Sequence, residues 1–398
     1  MTVQVVQASM TIRIGLIGLG TAGRSLPLAV AKTTGFSFVA GADVRQEARE
    51  QYRREFDIQT FDSVAAMCEL KTIDAVYVAT PNPYHAEHAI TALEHGKHVM
   101  VEKPMALTLE DCDRMIATAE KNRVKLMIAH TRSFNPPIRR MREIISSGSL
   151  GRVTQVHTIR YSPWLLRPRE PGEIITELGG GVCYRQAPHQ VDIARLLGGG
   201  LVRSVRAHAG RWSTENSTEG NYSALLEFDG GMTATLIYDG YGYFDDRELI
   251  EGDVFAGDQQ LGPGQRLRKA RAEGKLNKDA SRSGVAFEIE RGDGNAEKKP
   301  RQPFFGLTLV SCERGALRQS ADGVFIYDER GRTEVPCPEW SGPLKVELED
   351  FYKSVTEDRP VLHDGKWGKA TLEVCLAILH SSQNHREQLV VHQVPSPY

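Results

Sequence analysis

Five short apolar runs set the frame: TIRIGLI (11–17), FSFVAGAD (36–43), AVYVAT (75–80), HVMVEK (98–103) and KLMIAH (125–130). Between them lie Gly23 to Thr33, Glu47 to Phe56, His85 to His95 and Leu109 to Asn122, which carry apolar residues at helical spacing. A strand that is apolar on both faces must be covered on both faces, and parallel strands need crossovers of helical length to do so. The alternation therefore predicts a doubly wound α/β domain with a parallel sheet over residues 11–130.

The first crossover opens with Gly18, Gly20 and Gly23, directly after one predicted strand and directly before a predicted helix. In that context Gly18 permits the tight turn, Gly20 lets backbone approach a pyrophosphate, and Gly23 lets helix and strand pack closely. Thr21 and Ala22 complete the cofactor-facing turn. Asp43 closes the second run twenty residues past Gly23, where a carboxylate accepts the adenosine ribose hydroxyls and repels a 2′-phosphate. The expected cofactor is NAD rather than NADP, with Arg45 close enough to soften that preference.

After Pro136 and Pro137 the pattern changes to alternating runs such as VTQVHTIRY, NYSALLEF and MTATLIYDGYGYF, which predict half-buried, largely antiparallel strands. A second, α+β domain built on an open sheet is expected over 131–398. Residues 257–303 are polar and glycine-rich and are expected to form a mobile insertion, its RLRKARAEGK run being solvated surface rather than a polyanion site. Residues 1–10 are expected to form a disordered tail, since they have no basic n-region or apolar h-region of a signal peptide. A net charge of -2, the absence of an apolar stretch near the ~20 residues that cross a bilayer, and six scattered cysteines point to a cytoplasmic protein without nucleic-acid or membrane partners.

Four further motifs appear in order: ATPNPYH (79–85), GKHVMVEKPMALT (96–108), RSFNPPIRRMREIISSGSLGRV (132–153) and GGGVCYRQAPHQVDIARLLGG (179–199). In order and spacing they resemble the Gfo/Idh/MocA oxidoreductases. The resemblance implies an N-terminal Rossmann domain, a C-terminal domain with an open sheet, and substrate bound beside the nicotinamide. It implies cofactor contacts from Thr80, Asn82, His85 and Glu102, a cis bond before Pro104, and pairing into a homodimer or homotetramer through the outer face of the second sheet.

Lys103 ends a buried strand, where α/β folds place ligands, and His189 is suited to proton transfer near neutrality; these two are the expected catalytic residues. Asp192 lies one helical turn from His189. Where sugar and cyclitol members of the family commonly carry an aspartate four residues before the histidine, this chain has Arg185. An arginine is a poor proton relay and a good carboxylate clamp, so the expected substrate is a cyclic carboxylate diol. Arg160, with Arg167 and Arg169, adds positive charge, and Tyr161, Trp164 and Tyr184 offer flat apolar contacts.

Within the family, QAPHQVDIARLLGGG, STEGNYSALLEF and LVSCERGALRQSADGVFIYD are similar to the branch acting on cis-dihydrodiols of aromatic carboxylates, of the phthalate or chlorobenzoate type. A sugar or inositol-like dehydrogenase is the alternative, and a non-enzymatic redox sensor a third reading. The pairs His85/His88 and His95/His98 fall on different elements, so no metal site is expected.

Overall fold

The computed structural model describes residues 10–251, 262–276, 286 and 302–397. Apart from Met10, the expected tail lies outside them. Two compact units emerge, one reaching to Ala129 and including Leu344–Gly365, the other His130–Pro343 with Lys366–Tyr398.

The first unit holds a six-stranded, all-parallel sheet of β1 (Ile12–Ile17), β2 (Phe36–Ala42), β3 (Gln59–Phe61), β4 (Ala75–Val78), β5 (His98–Glu102) and β6 (Leu126–Ala129), in the order β3-β2-β1-β4-β5-β6. Its helices include α1 (Ser25–Val30), α2 (Gln46–Phe56), α3 (Val64–Cys68), α4 (His85–Glu94) and α5 (Leu109–Asn122). Every residue of β4 and β6 is buried, as strands covered on both faces require. Helix α5 begins where the Thr108 hydroxyl accepts the Asp111 N–H at 3.1 Å, and it ends on Arg123 in the left-handed region (φ 55°).

Two elements escaped the sequence reading. The strand β3 has three residues and α3 five, too short to show a period. The segment Leu344–Gly365, assigned by pattern to the second domain, belongs to the first unit. Its Leu348 and Phe351 are fully buried, Tyr352 meets the Phe36 ring edge-on at 5.8 Å, and the Ile128 N–H donates to the His363 carbonyl at 2.8 Å.

The second unit is built on a nine-stranded sheet in the order β14-β13-β12-β11-β7-β10-β9-β8-β15. These strands are β7 (Val153–Tyr161), β8 (Val202–Gly210), β9 (Asn221–Phe228), β10 (Thr233–Asp239), β11 (Leu307–Cys312), β12 (Gly315–Gln319), β13 (Gly323–Asp328), β14 (Gly331–Pro336) and β15 (Gln388–Leu389). All neighbouring pairs are antiparallel except β7 and β10. Alternate residues of β9 and β10 are buried, which is the pattern of a sheet with one covered face.

Helix α8 (Ala187–Gly198) lies on β7 and β10, with α6 (Pro136–Ser146) and α7 (Gly181–Arg185) beside it. Val191, Ala194 and Leu197 of α8 join Leu236, Tyr238 and Val310 in one core with Ile378 of the long C-terminal helix, residues 365–384.

The expected mobile insertion is corrected in part. Residues Pro263–Ala272 form a helix that buries Leu267 and Ala270. Arg268 stacks 3.7 Å above Tyr243 and donates to the Gly242 carbonyl, while Arg271 pairs with Glu215 at 2.8 Å. Only two apolar side chains anchor the helix, so periodicity did not reveal it. Most of the remaining insertion lies outside the described residues. Among the described residues no helix is long and apolar enough to cross a membrane.

Candidate active site

In the first unit the glycine turn has the geometry its spacing requires. Gly18 has φ +95°, and a Cβ there would sit 2.7 Å from the Ala79 carbonyl oxygen. A Cβ on Gly23 would overlap the Gly18 carbonyl, whereas Gly20 meets nothing nearer than Arg45 Nη2 at 3.9 Å. The turn is thus closed beneath and open above Gly20, with Thr21 and Ala22 exposed. Helix α1 starts only at Ser25 and is shorter than the spacing suggested.

Asp43 is held at the end of β2. Its Oδ2 accepts the Leu19 N–H at 2.9 Å, and Arg45 grips both oxygens, Nε to Oδ1 at 3.0 Å and Nη2 to Oδ2 at 2.9 Å. Burial opposes ionisation there, but the Arg45 hydrogen bonds and charge and the Leu19 amide outweigh it and hold the carboxyl below its usual range. An open glycine turn beside an ionised carboxylate at the end of the second strand fits the pyrophosphate and ribose of a dinucleotide.

At the ends of β4 and β5, Lys103 is half-buried and its bond to Pro104 is cis, as expected. Glu102 accepts a 2.6 Å hydrogen bond from the Tyr77 hydroxyl. Thr80 is half-buried and Asn82 buried on the loop after β4. His85 requires correction as a cofactor contact. It is 1% exposed, with Nδ1 2.8 Å from the Pro104 carbonyl and Nε2 2.8 Å from the Thr80 carbonyl. Both ring nitrogens are engaged by backbone, so the ring ties the Thr80 loop to the Lys103–Pro104 loop. The other three histidines are also engaged: His88 Nδ1 lies 3.1 Å from Thr80 Oγ1, His95 Nδ1 2.7 Å from the Thr91 carbonyl, and His98 Nδ1 accepts the Lys125 amide. Among the described residues no group of three His, Cys, Asp or Glu is arranged to hold a metal ion.

In the second unit His189 lies in the first turn of α8, its ring edge-to-face with Phe305 at 4.8 Å. The guanidinium groups of Arg132 and Arg160 stand 5.1 and 5.6 Å from the same ring. Phe305 was missed because PFFG before a strand carries no motif. Asp192 is fully buried and accepts the Trp367 indole N–H at 2.7 Å. Burial raises its carboxyl to about 7, only partly offset by hydrogen bonds from Ser133 and Trp367 and the charge of Arg195. As a substrate contact it is corrected: its position is beneath the site, inside the core.

Two more expected contacts are corrected by burial and pairing. Trp164 is 1% exposed within the core, with the Arg169 guanidinium 4.0 Å above its ring. Arg160 forms a 2.7 Å ion pair with buried Asp246 and faces Phe304 and Phe305, so its charge is already matched within the fold. Tyr161 remains half-buried, edge-on to Phe244 at 5.2 Å, and Tyr184 packs against the core. Arg185, at the end of α7, holds Glu173 at 2.7 Å, and Arg169 approaches the same carboxylate oxygen at 3.5 Å. Gly180 makes this possible, since a Cβ there would lie 2.7 Å from the Glu173 backbone.

A glycine-turn Rossmann unit joined to an open mixed sheet defines a class, the two-domain dinucleotide-dependent oxidoreductases. Family comparison agrees. Residues 12–130 match the NAD-binding Rossmann fold of the GFO/IDH/MocA oxidoreductase family and residues 138–251 its C-terminal domain. The 1-carboxy-3-chloro-3,4-dihydroxycyclohexa-1,5-diene dehydrogenase of Comamonas testosteroni is 35% identical over 93% of this chain and 95% of its own. Inositol 2-dehydrogenase 3 of Saccharopolyspora erythraea is 30% identical over 47% of this chain and 54% of its own. A crystal structure from Bordetella bronchiseptica RB50, described as a dehydrogenase, superposes with a TM-score of 0.85 at 35% identity, over 96% of this chain and all of the other. The chain belongs to the Gfo/Idh/MocA family and is an oxidoreductase with an NAD-binding Rossmann domain.

Proposed function

We propose that this chain is an NAD-preferring dehydrogenase that oxidises the cis-dihydrodiol of an aromatic carboxylate to the catechol. One observation carries the reading: likeness to the chlorinated carboxy-dihydrodiol dehydrogenase runs through 93% of the chain and so includes the second unit, whereas likeness to inositol 2-dehydrogenase 3 covers 47%. The arginines around Glu173 support it, because they supply positive charge that a carboxylate uses and a neutral polyol does not.

A bound NAD+ supplies acceptance of a hydride, taken from a ring carbinol carbon as its C–H bond breaks. The hydroxyl proton of that carbon passes to Lys103 or His189 as C–O becomes C=O. The ketone then enolises to the catechol. Aromatisation drives the step, so the chain's work is chiefly alignment and a proton acceptor. Asp43 favours NAD by facing the ribose with a carboxylate, and Arg185 orients the substrate acid. Copies of the chain pair through the outer face of the second sheet, where Ile237, Ile159 and Leu307 lie side by side on β10, β7 and β11. NADH formation from carboxylated dihydrodiols, against inositol and glucose as competing substrates, tests the reading; turnover of the polyols alone would replace it.

A further inference from the structure

We propose that the Arg45 guanidinium holds, on Asp43, the place of an adenosine ribose diol. NAD then binds by exchanging the guanidinium, a 2′-phosphorylated cofactor binds by keeping it, and the chain takes NADP as a second cofactor. The inference deepens the cofactor part of the function proposed above and rests on that part, not on the substrate.

Asp43 has its acceptor positions filled. A carboxylate offers about four, and Oδ1 accepts the Arg45 amide at 2.9 Å and Arg45 Nε at 3.0 Å, while Oδ2 accepts the Leu19 amide and Arg45 Nη2, both at 2.9 Å. The Asp43 side chain is left 8% exposed. Ribose hydroxyls therefore reach it only by replacing a donor already there.

Those donors differ in how easily they leave. The Leu19 and Arg45 amides belong to the backbone, and Arg49 fixes that backbone by donating Nη1 to the Asp43 and Val44 carbonyls at 2.8 and 2.9 Å. Nε and Nη2 belong instead to a side chain that is 47% exposed and has solvent to move into. Two exchangeable donors match the two hydroxyls of a ribose diol, each of which donates one hydrogen bond.

Position agrees with number. Arg45 Nη2 also reaches the Leu19 carbonyl at 3.4 Å, and it is the atom that a Cβ on Gly20 would meet, at 3.9 Å. The guanidinium thus lies between the carboxylate and the glycine turn, where the ribose of a dinucleotide joins its pyrophosphate.

The two cofactors meet this arrangement differently. A diol restores both hydrogen bonds that the guanidinium gave, and the ion pair it breaks is an exposed, weak one. A 2′-phosphate has no hydroxyl at that carbon to donate and carries charge of the same sign as Asp43, so it does not replace Arg45. With the guanidinium kept, the carboxylate stays matched and the phosphate has a cation beside it. Arg45 thereby narrows the preference that Asp43 alone would impose.

Fluorescence titration with NADH and with NADPH reads both cofactors without turnover. In the parent, NADPH is expected to bind within about tenfold of NADH. Arg45→Met, with an unchanged thermal midpoint as fold control, should tighten NADH about two- to fivefold, the worth of an exposed ion pair that no longer has to be broken. It should weaken NADPH by at least as much. Arg45→Lys, a cation without the fork, should fall between the two proteins. A merely structural role for Arg45 weakens both cofactors together; that result, or a wider gap in the parent, would overturn the exchange. If the parent binds NADPH tighter than NADH while Arg45→Met still shifts the two in opposite directions, the NAD preference proposed above fails and the exchange stands.

Discussion

Asp192 should titrate near neutrality, and its cost to the fold is measurable. Burial raises this carboxyl from 3.8 to about 7 in the folded chain. In the unfolded chain it titrates near its ordinary value, so between about pH 4 and pH 7 the folded state holds the extra proton. Stability from this group is therefore full at low pH, falls as pH rises through that window and levels off above it. A shift of about three units at about 1.4 kcal/mol each gives a total of about 4 kcal/mol. Asp192→Asn keeps a carbonyl oxygen for the Trp367 indole N–H and removes the ionisation. The assay is the thermal midpoint of both proteins as a function of pH. The variant should match the parent near the acid end of the window and exceed it by about 8–16 °C at the neutral end, at about 2–4 °C per kcal/mol. A difference that stays constant with pH would refute the buried-acid reasoning.

Arg45→Ala frees Asp43 from its bidentate partner, so the ratio of NADPH to NADH dissociation constants should rise about fivefold, from about 1 kcal/mol of repulsion between near-surface charges; fluorescence titration reads it, and a falling ratio would reverse the assigned role. Lys103→Met should lower kcat about 100-fold or more while NADH binding stays within a few-fold. Unchanged turnover would move the proton acceptor to His189, and a protein that responds to NADH without any turnover would favour a sensor. Ile237→Glu, on the outer face of β10, should shift sedimentation toward a single chain without loss of melting cooperativity; an unaltered assembly would place pairing elsewhere.

The first unit was largely legible because its signals are local. β4 and β6 are wholly apolar and β1 and β5 mostly so, Gly18, Gly20 and Gly23 fall between a strand and a turn, and Asp43 directly follows β2 at the predicted distance. What escaped was either short, as with β3 and α3, or distant in sequence, as with Leu344–Gly365, whose Phe351 is buried in the first unit. In the second unit, position in a motif singles out His189 and Arg185 as candidates. Their surroundings were not legible: Glu173 comes from a turn with no pattern, Phe305 from the far side of the insertion, and Trp367 from the C-terminal helix. Residue type alone also misjudged Trp164, Arg160 and Asp192, since an aromatic, a cation and an acid serve a binding site or a core equally well until their partners are known.

The central claim is dehydrogenation of a carboxylated cis-dihydrodiol with NAD+. Absorbance at about 340 nm, where the reduced nicotinamide of the cofactor absorbs, should rise when the protein is mixed with NAD+ and the cis-dihydrodiols of phthalate or chlorobenzoate. Inositol and glucose should leave it flat. A rise with inositol or glucose and none with any carboxylated dihydrodiol would contradict the account.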